Sequence, residues 1–372
     1  VHIAFPQDRG FILGVVIAAL VPAFALVHGV VGRYNDERQE LAAEWAARGD
    51  RDRPRDPAAA VIDFQTALAY GADRDAELRL AEALNAAKRP AEARAHLLTL
   101  WSDEPGDGGI NLQLARLAAA EGDLADAVRY YHGAIDGAWE RDAAAARRGA
   151  RLELARLLLS HGQRIRAQAE LIALIDDLPA DANLITEVGR LVLSAGAENR
   201  ALALFQRALT LDPANAAAAT LAGDVAFRAG DVRRAHDYLQ QASDHGGLDP
   251  DARERLDISA RVLALDPSSR GLSARARGQR TLRSLSIARA RLARCQAAAG
   301  GASDPQIAAL SARAHGAGST RERVVERDPD IGDEIMQLVF DIERLPAAAC
   351  GPDSLDDHAL QYLSRARQGA SR

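Results

Sequence analysis

Two patterns of apolar residues organise this chain. The first is continuous. No charged residue stands between Gly10 and Gly32, and Phe11 to Val31 is 21 residues long. As a helix this stretch is about 32 Å long, enough to cross the hydrocarbon core of a bilayer. Pro22 and His28 interrupt it, and proline is tolerated in membrane helices. The second pattern is periodic and predicts pairs of amphipathic helices separated by glycine-containing turns.

The period is marked by alanines that open a helix after a turn: Ala60, Ala93, Ala127, Ala167, Ala201 and Ala235. Three of the last four spacings are 34 residues, and the interval from Ala127 to Ala167 carries six more. Four residues after each anchor stands a large side chain: Phe64, Leu97, Tyr131, Leu171, Phe205 or Leu239. Twelve residues before the later anchors stands a small one: Ala81, Ala115, Ala155, Gly189 or Gly223. Gly122, Gly162, Gly196 and Gly230 mark the turn between the two helices, and Pro105, Pro179 and Pro213 end the second helix. A small residue lets a neighbouring helix come close, a large one fills the space beyond it, and proline stops the helix.

These positions resemble the tetratricopeptide repeat. The stretch Ala201–Pro213 is similar to that family's second helix and closing proline, and the resemblance covers residues 41–247. It implies an all-α helical-repeat solenoid whose concave face, lined mainly by first helices, binds segments of other proteins. The first unit is degenerate: Leu41 and Trp45 fit a first helix, while Gly49–Pro57 reads as a charged loop. The expected organisation is a short tail at 1–10, a transmembrane anchor at 11–32, a juxtamembrane segment with the degenerate first helix at 33–58, the array at 59–247, and a C-terminal helical domain at 248–372 that caps the array.

The apolar start has other readings. Ala23-Phe24-Ala25 has the small-x-small form of a signal-peptide cleavage site after Ala25, although Leu26, Val27, Val30 and Val31 continue the apolar run. A buried helix of a soluble domain is the third. Lys and Arg counts on the two sides barely differ, so charge decides little about orientation. The short tail before a long body favours an exported body. The expected location is a bacterial inner membrane, crossed once, with the body periplasmic.

One groove position follows the small residue directly and reads Glu82, Arg116, Arg156, Arg190 and Asp224. Three successive arginines flanked by acids form a ladder. Guanidinium groups grip carboxylates bidentately, so an acidic segment or a free carboxyl terminus is the expected ligand. The other reading is a solvated helix face bearing ordinary arginines.

After Gly247 the period fades. Asp251–Asp266 predicts one more amphipathic helix. Arg270–Arg294 holds eight arginines and no acid, with Leu282, Leu285, Ala288 and Leu292 on one face. Such a helix suits nucleic acid, anionic lipid, or docking on an acidic surface of its own chain or a partner. The acidic excess before residue 251 favours docking, and nucleic acid is not expected as a partner. Further helices fit Pro305–His315, Asp330–Arg344 and Ser354–Arg367.

Composition narrows the function. The chain is 48% hydrophobic but 4% aromatic, and Lys88 is the one lysine. Abundant Ala, Leu, Arg and Glu favour helix and argue against a large β domain. A net charge of -6 with this apolar content argues against disorder. The two cysteines, Cys295 and Cys350, suit a disulfide in an oxidising compartment or two buried thiols. Neither paired-cysteine nor His-Glu-x-x-His metal motifs occur, and no nucleophile elbow does. Gly316–Thr320 lacks the lysine and preceding strand of a phosphate loop. The expectation is therefore no enzyme, no cofactor and no metal.

Two functions remain. One is a membrane-anchored scaffold or assembly factor that holds partner segments in its groove, as bacterial proteins of similar layout do in envelope assembly and cytochrome maturation. The related lipopolysaccharide-assembly regulator carries paired cysteine motifs absent here. The other is a structural accessory subunit of a larger membrane complex, with Gly14, Ala18, Ala19 and Ala25 allowing close helix contact.

Overall fold

The computed structural model describes residues 9–246, 248–298, 305–345 and 351–370. Among these the protein is all-α, with 18 helices and no strand. The chain forms two compact units that divide between Glu170 and Leu171, inside one helix.

The first unit opens with α1 (Arg9–Asp52), a 44-residue helix about 66 Å long. It is long and apolar enough to cross a membrane, and its apolar window is not buried. Phe24, Leu26 and Val30 are all exposed. The same helix then continues without a break into the array, where Ala42 and Ala46 are buried. It packs along α2 (Pro57–Ala69).

The expected loop at Gly49–Pro57 is shorter than the sequence suggested. Helix persists to Asp52, and only residues 53–56 connect it to α2. Pro54 sets the end, because proline disfavours helical backbone in the residue before it. Gly49 is a packing residue, with the Phe64 ring 2.9 Å from where its Cβ would stand.

The remaining pairs of this unit are α3 (Arg74–Ala86) with α4 (Pro90–Asp103), and α5 (Gly108–Glu121) with α6 (Leu124–Asp136). Next come α7 (Ala143–Ser160) and α8 (Arg164–Ile175), which holds the division between units. Aspartates begin α3, α5, α6 and α7. Asp73, Asp107, Asp123 and Asp142 each accept the backbone N–H three residues on, satisfying one of the donors a helix start leaves open. Gly122 ends α5 in left-handed backbone at φ 80°, where a side chain would be strained.

The second unit contains α9 (Ala182–Ser194) with α10 (Glu198–Leu211), and α11 (Ala216–Arg228) with α12 (Val232–Asp244). After these come α13 (Pro250–Leu265), α14 (Ala274–Ala298), α15 (Pro305–Ala317), α16 (Glu322–Arg327), α17 (Pro329–Glu343) and α18 (Leu355–Ala370). The short α16 was not foreseen. It packs on α14 and α17, with Val325 buried. Leu285, Ala288, Leu292, Ile335, Val339, Ile342 and Leu360 form the core of these last helices.

The small-to-large contacts repeat in both units. A Cβ on Gly189 would stand 2.6 Å from the Phe205 ring, and one on Gly223 would stand 2.6 Å from Leu239 Cγ. The wedge therefore acts first inside its own pair.

Candidate protein-interaction groove

The ladder residues lie on successive first helices, and most reach across to the next one. In the first unit Glu82 on α3 accepts hydrogen bonds from Arg53 and from Gln113 on α5. Arg116 on α5 grips Glu153 on α7 bidentately, Nε to Oε2 at 2.9 Å and Nη2 to Oε1 at 2.6 Å. The Tyr131 hydroxyl donates to the same carboxylate at 3.2 Å. Burial pushes the Glu153 carboxyl up. The Arg116 hydrogen bond and charge, the Tyr131 hydroxyl and the Arg156 charge outweigh it and hold the group below its usual range. Arg156 is exposed on α7.

In the second unit Asp224 on α11 accepts from Arg255 on α13 at 2.9 Å. Burial raises its carboxyl despite the nearby Arg255 and Arg228 charges. Arg190 is different. It is exposed on α9, and its guanidinium makes no hydrogen bond or ion pair with the described residues.

A rule connects these pairs that the sequence reading missed. Glu82 and Gln113, and Asp224 and Arg255, are both 31 residues apart. Arg116 and Glu153 are 37 apart because the six-residue insertion lies between them. The groove position of one first helix is thus locked to a position one turn earlier on the next. Thirty-one residues after Arg190 stands Leu221, which offers no such partner. The signal was present in the sequence as a charge or amide recurring at that spacing.

Three arginines of α14 bond within their own unit, while Arg275, Arg277, Arg283 and Arg289 are exposed. Arg280 donates to the Leu263 and Asp266 carbonyls at 2.8 and 2.9 Å, closing the end of α13. Arg291 and Glu343 form a buried ion pair at 2.5 Å. Arg294 meets Asp357 at 2.6 Å and Asp353 at 3.1 Å. Docking within the chain is what these contacts do. Cys295 is buried in the same core and is disulfide-bonded. Cys350, its expected partner, lies outside the described residues. Among the described residues no group of three or more His, Cys, Asp or Glu is placed to hold a metal.

The tetratricopeptide repeat family model matches residues 192–255. No curated protein matches the chain. Similar solved structures include PilF of Pseudomonas aeruginosa, 17% identical over 51% of this chain and 84% of that one, with a TM-score of 0.38. Another is PilW, a type IV pilus biogenesis factor, 19% identical over 59% and 96%, with a TM-score of 0.42. A third is the C-terminal part of a repeat protein from Cytophaga hutchinsonii, 15% identical over 59% and 86%, with a TM-score of 0.46. The family match identifies tetratricopeptide repeats at residues 192–255, and small-to-large helix pairs of the same kind recur from Gly49–Phe64 to Gly223–Leu239.

Proposed function

We propose that this protein is a membrane-anchored scaffold or assembly factor that holds segments of partner proteins along its first helices. The observation that carries the reading is the continuity of α1. One helix joins the exposed apolar stretch to the first repeat, so an anchored array is held to the bilayer without a flexible linker. The anchor at 11–32, the array at 59–247 and the helical domain at 248–372 are the parts of this proposal, with the body on the periplasmic side.

Within the groove, Arg190 is the rung ready for a partner carboxylate, since its guanidinium is exposed and uncommitted. Arg116 already holds Glu153, and Glu82 and Asp224 hold their own donors. A ligand at those rungs must exchange one partner for another, which lowers the net gain.

The test has two arms. Membranes containing the full chain are washed with alkaline carbonate, and the chain is expected to stay in the pellet. A photo-crosslinker beside Arg190, at Glu187 or Ser194, is expected to capture a discrete partner, with the yield falling at least tenfold in Arg190→Glu. Release by carbonate overturns the anchor, and an unchanged crosslink in Arg190→Glu overturns the carboxylate contact.

A further inference from the structure

The repeat register continues past the last complete pair. Thirty-four residues beyond Asp224 it falls on Ile258 of α13. Ile258 is 8% exposed and belongs to the apolar core that α14, α17 and α18 complete. The groove face of α13 is therefore covered by the chain itself.

The element lying there is α18, which packs on α13, α14 and α17, and part of its contacts fall on groove positions. Asp356 pairs with Arg261 of α13 at 2.9 Å, and His358 lies 3.5 Å from Glu254. Glu254, Ile258 and Arg261 share one face, being four and three residues apart. The Tyr362 hydroxyl donates to the Phe227 carbonyl, and the two rings are 4.7 Å apart between centroids. Phe227 lies one turn beyond the rung Asp224 on α11. Between these polar contacts, Ala359, Leu360 and Leu363 are buried. An acidic first turn, an apolar centre and an aromatic residue one and a half turns later thus meet a cation, an apolar floor and the half-buried ring of Phe227.

We propose that α18 is a resident ligand of the second unit's groove: the face formed by α11 and α13 recognises an amphipathic helix with an acidic first turn and a following tyrosine, and a partner helix of that chemistry enters by competing with α18. The proposal rests on the groove reading above. The crosslink at Arg190 tests that reading without involving α18, so the two fail separately.

The experiment uses the full chain in detergent and a fluorescein-labelled synthetic peptide of residues 354–370, read by anisotropy. In the double variant Asp356→Ala, Tyr362→Ala the resident helix is weakened. The peptide is expected to bind this chain at least tenfold more tightly than the unmodified one. Adding Arg261→Ala to the double variant should then cost the peptide several-fold in affinity. Absent binding, or equal binding to the double variant and the unmodified chain, overturns the proposal. A second measurement does not depend on the variant folding: amide hydrogen exchange of the unmodified chain. Backbone amides of α18 are expected to exchange at least tenfold faster than those of α17. Exchange at the α17 rate would show a permanently fixed core helix and overturn it.

Discussion

Gly223 and Leu239 set how closely α11 and α12 approach. With the Leu239 side chain 2.6 Å from the position of any added Cβ, Gly223→Val must push the helices apart. Overpacking of this kind costs about 1–3 kcal/mol. Urea unfolding of the variant should show that loss, whereas Gly149→Ala on α7, where nothing lies within 4 Å, should be neutral or slightly stabilising. Glu343 is the other residue with a measurable signature. Burial pushes its carboxyl up to about 7, with the neighbouring Asp357 charge adding to this and Arg291 and Arg294 opposing it. A carboxyl raised on folding favours the folded state most below its unfolded value near 4.5, and that contribution is lost as pH rises towards 7. The urea midpoint should therefore fall between pH 5 and pH 7.5. Glu343→Gln, which keeps this position neutral at every pH, should flatten that slope.

At the level of elements, neighbouring first helices are joined by the charge locks as well as by apolar packing. Arg116 and Glu153 are partly exposed, so their pairing is worth about 0.2–1 kcal/mol. A double-mutant cycle on Arg116→Ala and Glu153→Ala should give a coupling of that size, larger at low salt. A coupling of zero would assign α5–α7 register to apolar contacts alone. The helix starts contribute separately. Asp107→Ala removes the acceptor for the Ile110 N–H and should cost about 1 kcal/mol. It also breaks the contact with Arg74, so a larger loss is expected than for Asp123→Ala.

For the whole molecule, the basic helix α14 organises the C-terminal part of the second unit through Arg280, Arg291 and Arg294. Cys295 lies on the same helix. We propose Cys350 as its partner, a link closing a loop of 55 residues. Such a link stabilises by about 4 kcal/mol in the chain-entropy description. Peptide mapping without reductant should recover the two cysteines joined. Reduction should lower the unfolding temperature of the second unit and leave the first unchanged. A linked pair in cells would also place the body in an oxidising compartment.

Much of this protein was legible before any coordinates. The helix pairs, their small and large contact positions and the turn glycines follow from local rules: which residues tolerate close approach, left-handed backbone or a missing N–H. Those rules act over a few residues or one period, so a single chain displays them. The extent of α1 was not legible, because Gly49 looks like a loop residue until Phe64 is seen against it. Nor was the state of the ladder. Whether an arginine is available depends on what the next repeat presents across the groove, and Arg116 and Arg190, alike in sequence, differ in this. The covering of Ile258 by α18 was further out of reach. That contact joins positions about a hundred residues apart with no shared period, and only the packing of the C-terminal helices brings them together.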